Sequence, residues 1–218
     1  MVRTAFPGQR LPLLAAALPL AGWAVHTRVL SQRLAAARRD PLTGLLTREG
    51  FERAAHHILL RPNVVVLFVD LDDFKDINDV FGHAAGDAAL VHTARILTTW
   101  TGSRGTVGRL GGDEFVAALA CHPAQLASRM DQLAAALHDA PCQGVPLPTT
   151  ASIGAVHVAD LPVPSLATAI GAADAALYAS KDAGRDRWTL AGPDHIRPAA
   201  AHRWNRTRPA LTSERGLG

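Results

Sequence analysis

Three groups of charged residues in this 218-residue chain have types and spacing suited to handling phosphate with a hard metal ion. The first is Asp70, followed by Asp72 and Asp73, where the apolar run VVVLFV (64–69) ends. An acid at the end of a buried strand is held at a rigid edge, and Mg²⁺ takes hard oxygen ligands, often one or two carboxylates plus substrate phosphates. Asp72 and Asp73 have a simpler reading as caps of the helix that opens at Phe74, so Asp70 is the favoured ligand. The second group is RLGGDEF (109–115), where Gly111 and Gly112 permit a tight turn against a ligand and Asp113 and Glu114 follow at once. Acids at two separate strand ends make a plausible two-metal phosphate site. The third is Lys181 and Arg185, four apart at a helix end, where they can meet a triphosphate or serve as ordinary partners of the helix dipole.

The elements that must position these groups follow from periodicity and punctuation. Thr47 caps a helix through FERAAHHILL (51–60), and Arg61-Pro62-Asn63 breaks it. The β-branched run at 64–69 reads as a central strand buried on both faces. A short helix (74–80) ends at Gly82, and a longer one starts near Gly86-Asp87 and runs to about Trp100. Strands at 106–110 and 114–120 flank the Gly-Gly turn as a hairpin. Pro123 opens a helix to about residue 139, and the Pro-rich stretch 141–148 is a loop. Residues 150–158 form a strand in which Gly154 marks close approach by another backbone. A helix over 165–182 ends at Gly184, and 187–190 is a last strand. The order α-β-α-α-β-β-α-β-α-β predicts an α+β fold, a mixed central sheet flanked by helices.

Bulk composition narrows the function. The hydrophobic fraction of 48% supports a buried core. The net charge is only +3, and arginines crowd the two ends rather than forming a basic stripe with aromatics on the folded part, which argues against nucleic acid. The two cysteines, Cys121 and Cys142, form no CxxC and read as reduced thiols.

Residues 1–30 carry an apolar, membrane-associated segment. The uncharged run LPLLAAALPLAGWAV (11–25) would span roughly 22 Å as a helix, short of the ~30 Å hydrocarbon core; extension to residue 30 reaches that length but includes His26 and Arg28. Three readings stand: a single transmembrane helix, an interfacial segment broken by Pro12 and Pro19, or a cleaved signal. Arginines are denser after the segment, which favours a plasma-membrane protein with its C-terminal part on the cytoplasmic side. Residues 31–39 read as a linker helix, and the Pro-, Arg- and Ala-rich stretch 192–218 as a disordered basic tail.

The stretches DPLTGLLTREGF (40–51), FVDLDDFKDINDVFGHAAGDAAL (68–90), RLGGDEF (109–115), ASIGAV (151–156) and ADAALYASKDAGRDRW (173–188) resemble, in order and spacing, the successive motifs of the GGDEF diguanylate cyclase family. The resemblance covers residues 40–191 and implies a nucleotidyl-cyclase-like fold with a ferredoxin-like core. It implies condensation of two GTP into cyclic di-GMP with release of pyrophosphate, at the interface of a homodimer, with Mg²⁺, or Mn²⁺ in its place, as cofactor. It gives Asp70, the Leu71 carbonyl, Asp113 and Glu114 as metal ligands, with Asp113 and Glu114 also catalytic. Gly111 and Gly112 would lie against the nucleotide, Asn78 and Asp87 would read the guanine edge, and Lys75, Lys181 and Arg185 would meet phosphates. The alternative implied is a catalytically silent GTP-binding module of the same fold.

The chain departs from that family in two places. The RxxD product-inhibition element ahead of the signature is replaced by Gly102 and Gly105, so feedback through that site is not expected. The asparagine usual after the final Gly-Arg is Asp186.

Overall fold

β1 (Val64–Leu71) runs down the middle of a five-stranded sheet and is buried along its whole length. This computed structural model describes Trp23 and residues 26–29, 38–138, 147 and 149–196. The chain divides into two compact units, Met1–Arg39 and Asp40–Gly218. In the first, Trp23 and residues 26–29 are helical, and the Thr27 hydroxyl donates to the Trp23 carbonyl at 2.9 Å. The apolar segment and linker helix expected at 11–39 fall largely outside the described residues. Among the described residues no helix is long and apolar enough to cross a membrane.

The second unit carries α1 (Arg48–Leu59), β1, α2 (Phe74–Phe81), α3 (His83–Thr101), β2 (Gly105–Gly111), β3 (Glu114–Ala120), α4 (Pro123–His138), β4 (Ala151–His157), α5 (Leu166–Asp182) and β5 (Arg187–Leu190). The sheet order is β2-β3-β1-β4-β5. All pairs are antiparallel except β4 with β5, so the sheet is mixed, as expected from the element order.

Side chains alternate across a strand, and β1 shows what that alternation does here. Val65, Leu67 and Val69 pack with Leu90, Ala94 and Leu97 of α3 and Leu126, Met130 and Leu133 of α4. Val64, Val66 and Phe68 pack on the opposite face with Phe51 and Ala55 of α1 and Ile170, Ala173 and Leu177 of α5. With both faces covered, truncating a fully buried residue such as Phe68 to Ala would cost about 3–5 kcal/mol. α5 lies directly on β4 because residue 154 is glycine: a methyl there would overlap the Ala173 carbonyl oxygen. α5 itself starts with a capping box in which the Ser165 hydroxyl accepts from the Thr168 amide at 3.1 Å.

The structure departs from the sequence-based expectations at four places. α3 begins at His83, directly after Gly82, instead of near Gly86. Thr47 stands at the N-cap of α1 without a side-chain cap bond. Asp73 stands at the N-cap of α2 in a left-handed conformation (φ 50°), also without one. A short turn at Pro193–His195 continues beyond residue 191, and Ile196 packs against the core, so described structure extends into the stretch expected to be a tail. The rest of that tail and most of the Pro-rich stretch at 141–148 lie outside the described residues.

Candidate active site

Asp70 is the last-but-one residue of β1 and is only 4% exposed. It sits opposite Glu114, the first residue of β3, and opposite Ser152 of β4. Its carboxylate meets the Lys181 ammonium from the last turn of α5, with Oδ1 to Nζ at 2.5 Å. One residue on, the Leu71 amide donates to the Asp113 carbonyl at 3.3 Å, which ties the hairpin tip to the end of β1. The two acidic strand ends inferred from sequence are therefore neighbours. They open on a cleft of about 450 Å³ lined by Asp70, Leu71, Lys75, Asp113, Glu114, Lys181 and Arg185, together with Asp72, Asp73 and Phe74.

The hairpin tip depends on its glycines for conformation. Gly111 has φ 144° and Gly112 φ 54°, and neither has an atom within contact of an added methyl, so backbone freedom rather than space is what the turn requires. Arg109 holds the tip from below. Its Nε and Nη2 donate to the Gly112 carbonyl at 2.9 and 2.7 Å, and its Nη1 donates to Asp40 Oδ1 at 3.0 Å. The same carboxylate oxygen accepts from the Thr43 amide at 2.8 Å and the Thr43 hydroxyl at 2.6 Å. Burial pushes the Asp40 carboxyl up, but the bonds from Thr43 and Arg109 outweigh it and hold the group below the usual carboxylate range.

Arg48, the first residue of α1, is a neighbour of the site that sequence reading did not single out. Burial disfavours its charge, and the Glu114 and Glu52 carboxylates beside it support that charge. Asp72, read from sequence as a helix cap, does something else: Oδ1 accepts from the Ser152 hydroxyl at 2.7 Å and Oδ2 from the Asp186 amide at 3.0 Å. Asp73 faces Arg185 across 3.7 Å. The carboxylate of Asp186, the departure from the usual asparagine, pairs with His138 Nδ1 at 3.0 Å.

Asn78 and Asp87 are not among the cleft-lining residues. Asn78 lies on α2 with its carboxamide against Gly86 of α3, where a methyl would overlap Oδ1; its Nδ2 donates to the Phe74 carbonyl at 3.3 Å. Asp87 is the next residue after Gly86 and is exposed. Gly111 and Gly112 likewise stand beside the cleft lining rather than in it. Of the two cysteines, Cys121 is a buried free thiol and Cys142 lies outside the described residues.

The lining suits an oxygen-seeking divalent ion: Asp70, Asp113 and Glu114 bring carboxylates to one cleft, with Lys75, Lys181 and Arg185 alongside. Among the described residues no three His, Cys, Asp or Glu side chains form a ready-made metal cage.

Residues 37–187 match the family model described as "Diguanylate cyclase, GGDEF domain". The chain is 55% identical over 172 residues to an uncharacterized 19.3 kDa protein of Streptomyces ambofaciens, an alignment covering 78% of this chain and 91% of that one. It is 40% identical over 111 residues to the diguanylate cyclase DgcN of Escherichia coli K12, covering 49% of this chain and 27% of that one. Among solved structures, a truncated form of TpbB (YfiN) from Pseudomonas aeruginosa comprising only its GGDEF domain superposes with a TM-score of 0.65 at 33% identity, covering 72% of this chain and 96% of that one.

Proposed function

The chain belongs to the diguanylate cyclase GGDEF-domain family, and on that premise we propose that it condenses two GTP molecules into cyclic di-GMP and two pyrophosphates at a homodimer interface. The observation that carries this reading is the convergence of Asp70, Asp113 and Glu114 at one sheet edge, beside Lys181 and Arg185.

Each subunit holds one GTP. The 3′-hydroxyl of one attacks the α-phosphorus of the other; the O3′–P bond forms, the bond to the β-phosphate oxygen breaks, and pyrophosphate leaves. Lys181, Arg185 and Lys75 bind the phosphates. Asn78 and Asp87 read the guanine edge from the α2–α3 pair, and the Gly111-Gly112 backbone lies against the nucleotide. Glu114, beside Arg48, is assigned to the attacking hydroxyl, whose proton it would take. When bound by Asp70, the Leu71 carbonyl, Asp113 and Glu114, Mg²⁺, or Mn²⁺ in its place, supplies charge neutralisation and lowers the hydroxyl pKa. An isolated monomer holds substrate but completes no reaction.

The same proposal includes membrane attachment through residues 11–30 with the cyclase domain on the cytoplasmic side, and freedom from product inhibition at the RxxD position. Supporting the latter, Gly105 occupies that position with its Cα against β3, where a side chain would overlap the Ala118 carbonyl oxygen. Incubation of the dimeric protein with GTP and Mg²⁺, read by product mass spectrometry, tests the reading. Formation of cyclic di-GMP, lost in Asp113→Ala and Glu114→Ala, is expected. GTP binding without turnover by a dimer would instead make this a silent nucleotide-binding module.

A further inference from the structure

Gly184, Arg185 and Asp186 have φ of 110°, 62° and 47°, three successive residues in the left-handed region. Glycine adopts that conformation freely, but Arg and Asp do so at a cost, so surrounding bonds must hold them there. The first bonds are local: the Gly184 amide donates to Lys181 O at 3.3 Å and the Arg185 amide to Ser180 O at 3.1 Å. Non-local partners also reach the turn: His138 Nδ1 meets the Asp186 carboxylate at 3.0 Å, Asp73 faces the Arg185 guanidinium at 3.7 Å, and Asp72 takes the main-chain amide of Asp186. Asp72 is 4% exposed, with its amide bonded to Thr150 O at 2.9 Å and its two carboxylate oxygens bonded to the Ser152 hydroxyl and the Asp186 amide. Ser152 is fully buried, and Arg187 pairs opposite it as β5 begins. A single acid at the end of β1 thus joins β4 to the strained turn that follows α5.

We propose that Asp72 is a positioning residue: it latches the 184–186 turn so that Arg185 faces the cleft at a fixed place, beside Lys181, for a nucleotide triphosphate. This inference rests on the reading of the cleft as a GTP site. Arg185 lines the cleft from within the strained turn, and Lys181 lines it from the helical turn just before. With the Asp186 amide released, the turn relaxes toward ordinary backbone angles and carries the guanidinium away. The latch also assigns Asp72 a role distinct from that of Asp70 two residues earlier, since its two carboxylate oxygens are taken by the Ser152 hydroxyl and the Asp186 amide rather than by a cation of the cleft.

The test uses the full chain with Asp72→Ala, Asp72→Asn, Ser152→Ala, Arg185→Ala and the Asp72→Ala/Arg185→Ala double variant. Two quantities are measured: the ratio of affinities for GTP and GMP in Mg²⁺, and hydrogen exchange at the Asp186 amide. Asp72→Ala is expected to speed that exchange and to lower the GTP-to-GMP ratio about tenfold, the usual scale for losing a hydrogen bond to a charged group. Asp72→Asn should keep the ratio, because its Oδ1 can accept the Asp186 amide while its Nδ2 donates to Ser152. The double variant should lose no more than Arg185→Ala alone. Equal loss in Asp72→Asn, full additivity in the double variant, or unchanged exchange in Asp72→Ala overturns the latch. If Asp72→Ala does not fold, Ser152→Ala decides: it removes one of the two anchors and must speed exchange at Asp186, and unchanged exchange there sinks the proposal. A wild-type protein that shows no preference for GTP over GMP removes the nucleotide reading instead, and the exchange measurement still judges the latch.

Discussion

Lys181 and Asp70 form an ion pair at 2.5 Å across the seam between α5 and the central strand, with side-chain exposures of 22% and 6%. Removing one partner of such a pair leaves a charge in a site shaped to hold two. Lys181→Met should therefore destabilise the domain by about 2–4 kcal/mol in the absence of nucleotide and metal, as measured by denaturant titration. Adding Mg²⁺ should restore part of that stability, because an ion bound by the native state alone raises its apparent stability. A Lys181→Met protein as stable as wild type in metal-free buffer would show that the pair contributes nothing.

The Arg109–Asp40 pair predicts a pH dependence with a definite sign. The Asp40 carboxyl is held below its ordinary value in the folded state by Thr43 and Arg109 in excess of its burial. A depressed carboxyl pKa stabilises at pH values above the unfolded pKa, about 3.9, and the gain is lost as pH falls through the lower folded value. Asp40→Asn should cost about 1–2 kcal/mol at pH 7 and progressively less in acid below pH 4. Because Arg109 also holds the Gly112 carbonyl, the same variant should slow product formation. A cost that stays constant from pH 7 to pH 2 would contradict the assignment.

What was legible in the sequence, and what was not, divides along a physical line. The unbroken run at 64–69 announced β1, and the Gly-Gly-Asp-Glu string announced the hairpin tip, because both signals are local. The sheet order was not readable, since β1 takes its neighbours from β3 and β4, which come later in the chain. Asp72 looked like a cap because caps are local, whereas its partners Ser152 and Asp186 lie 80 and 114 residues away. Arg48 gave no signal beyond its place after Thr47; only the folded sheet brings Glu114 to it. Gly86 looked like a helix start, but it is an interior residue of α3 kept small by Asn78.

That last contact separates stability from recognition. Alanine is favoured over glycine inside a helix by about 0.5–1 kcal/mol, which roughly offsets the Asn78 bond to the Phe74 carbonyl and the Phe74 ring contact that a methyl disturbs, so Gly86→Ala should change the thermal midpoint little. Its methyl displaces the Asn78 carboxamide, the flexible end of a side chain, and with it the proposed guanine contact. GTP affinity should fall about tenfold, and Asn78→Ala should add little in the Gly86→Ala background. Calorimetric titration of the single and double variants measures both numbers. Wild-type affinity in Gly86→Ala would dissociate Asn78 placement from nucleotide binding.

Gly105 makes a prediction about engineering feedback. On the proposed function, the Arg and Asp that would provide product inhibition fall at positions occupied here by Gly102 and Gly105. Gly102 has φ 57°, a conformation that Arg adopts only with strain, and space around it is open. Gly105 is different: any Cβ overlaps the Ala118 carbonyl oxygen and crowds Leu119 and Thr101, so the two strands β2 and β3 must part to accept it. Installing Gly102→Arg with Gly105→Asp should lower stability by about 2–4 kcal/mol, in the range of overpacking plus backbone strain. Product inhibition should not appear, because the Asp reaches its place only by distorting the strand that leads to Gly111. Steady-state synthesis with and without added cyclic di-GMP, run beside a thermal melt of the same sample, decides the matter. A stable double variant that becomes inhibited would mean the β2–β3 pairing yields more readily than its close contact implies.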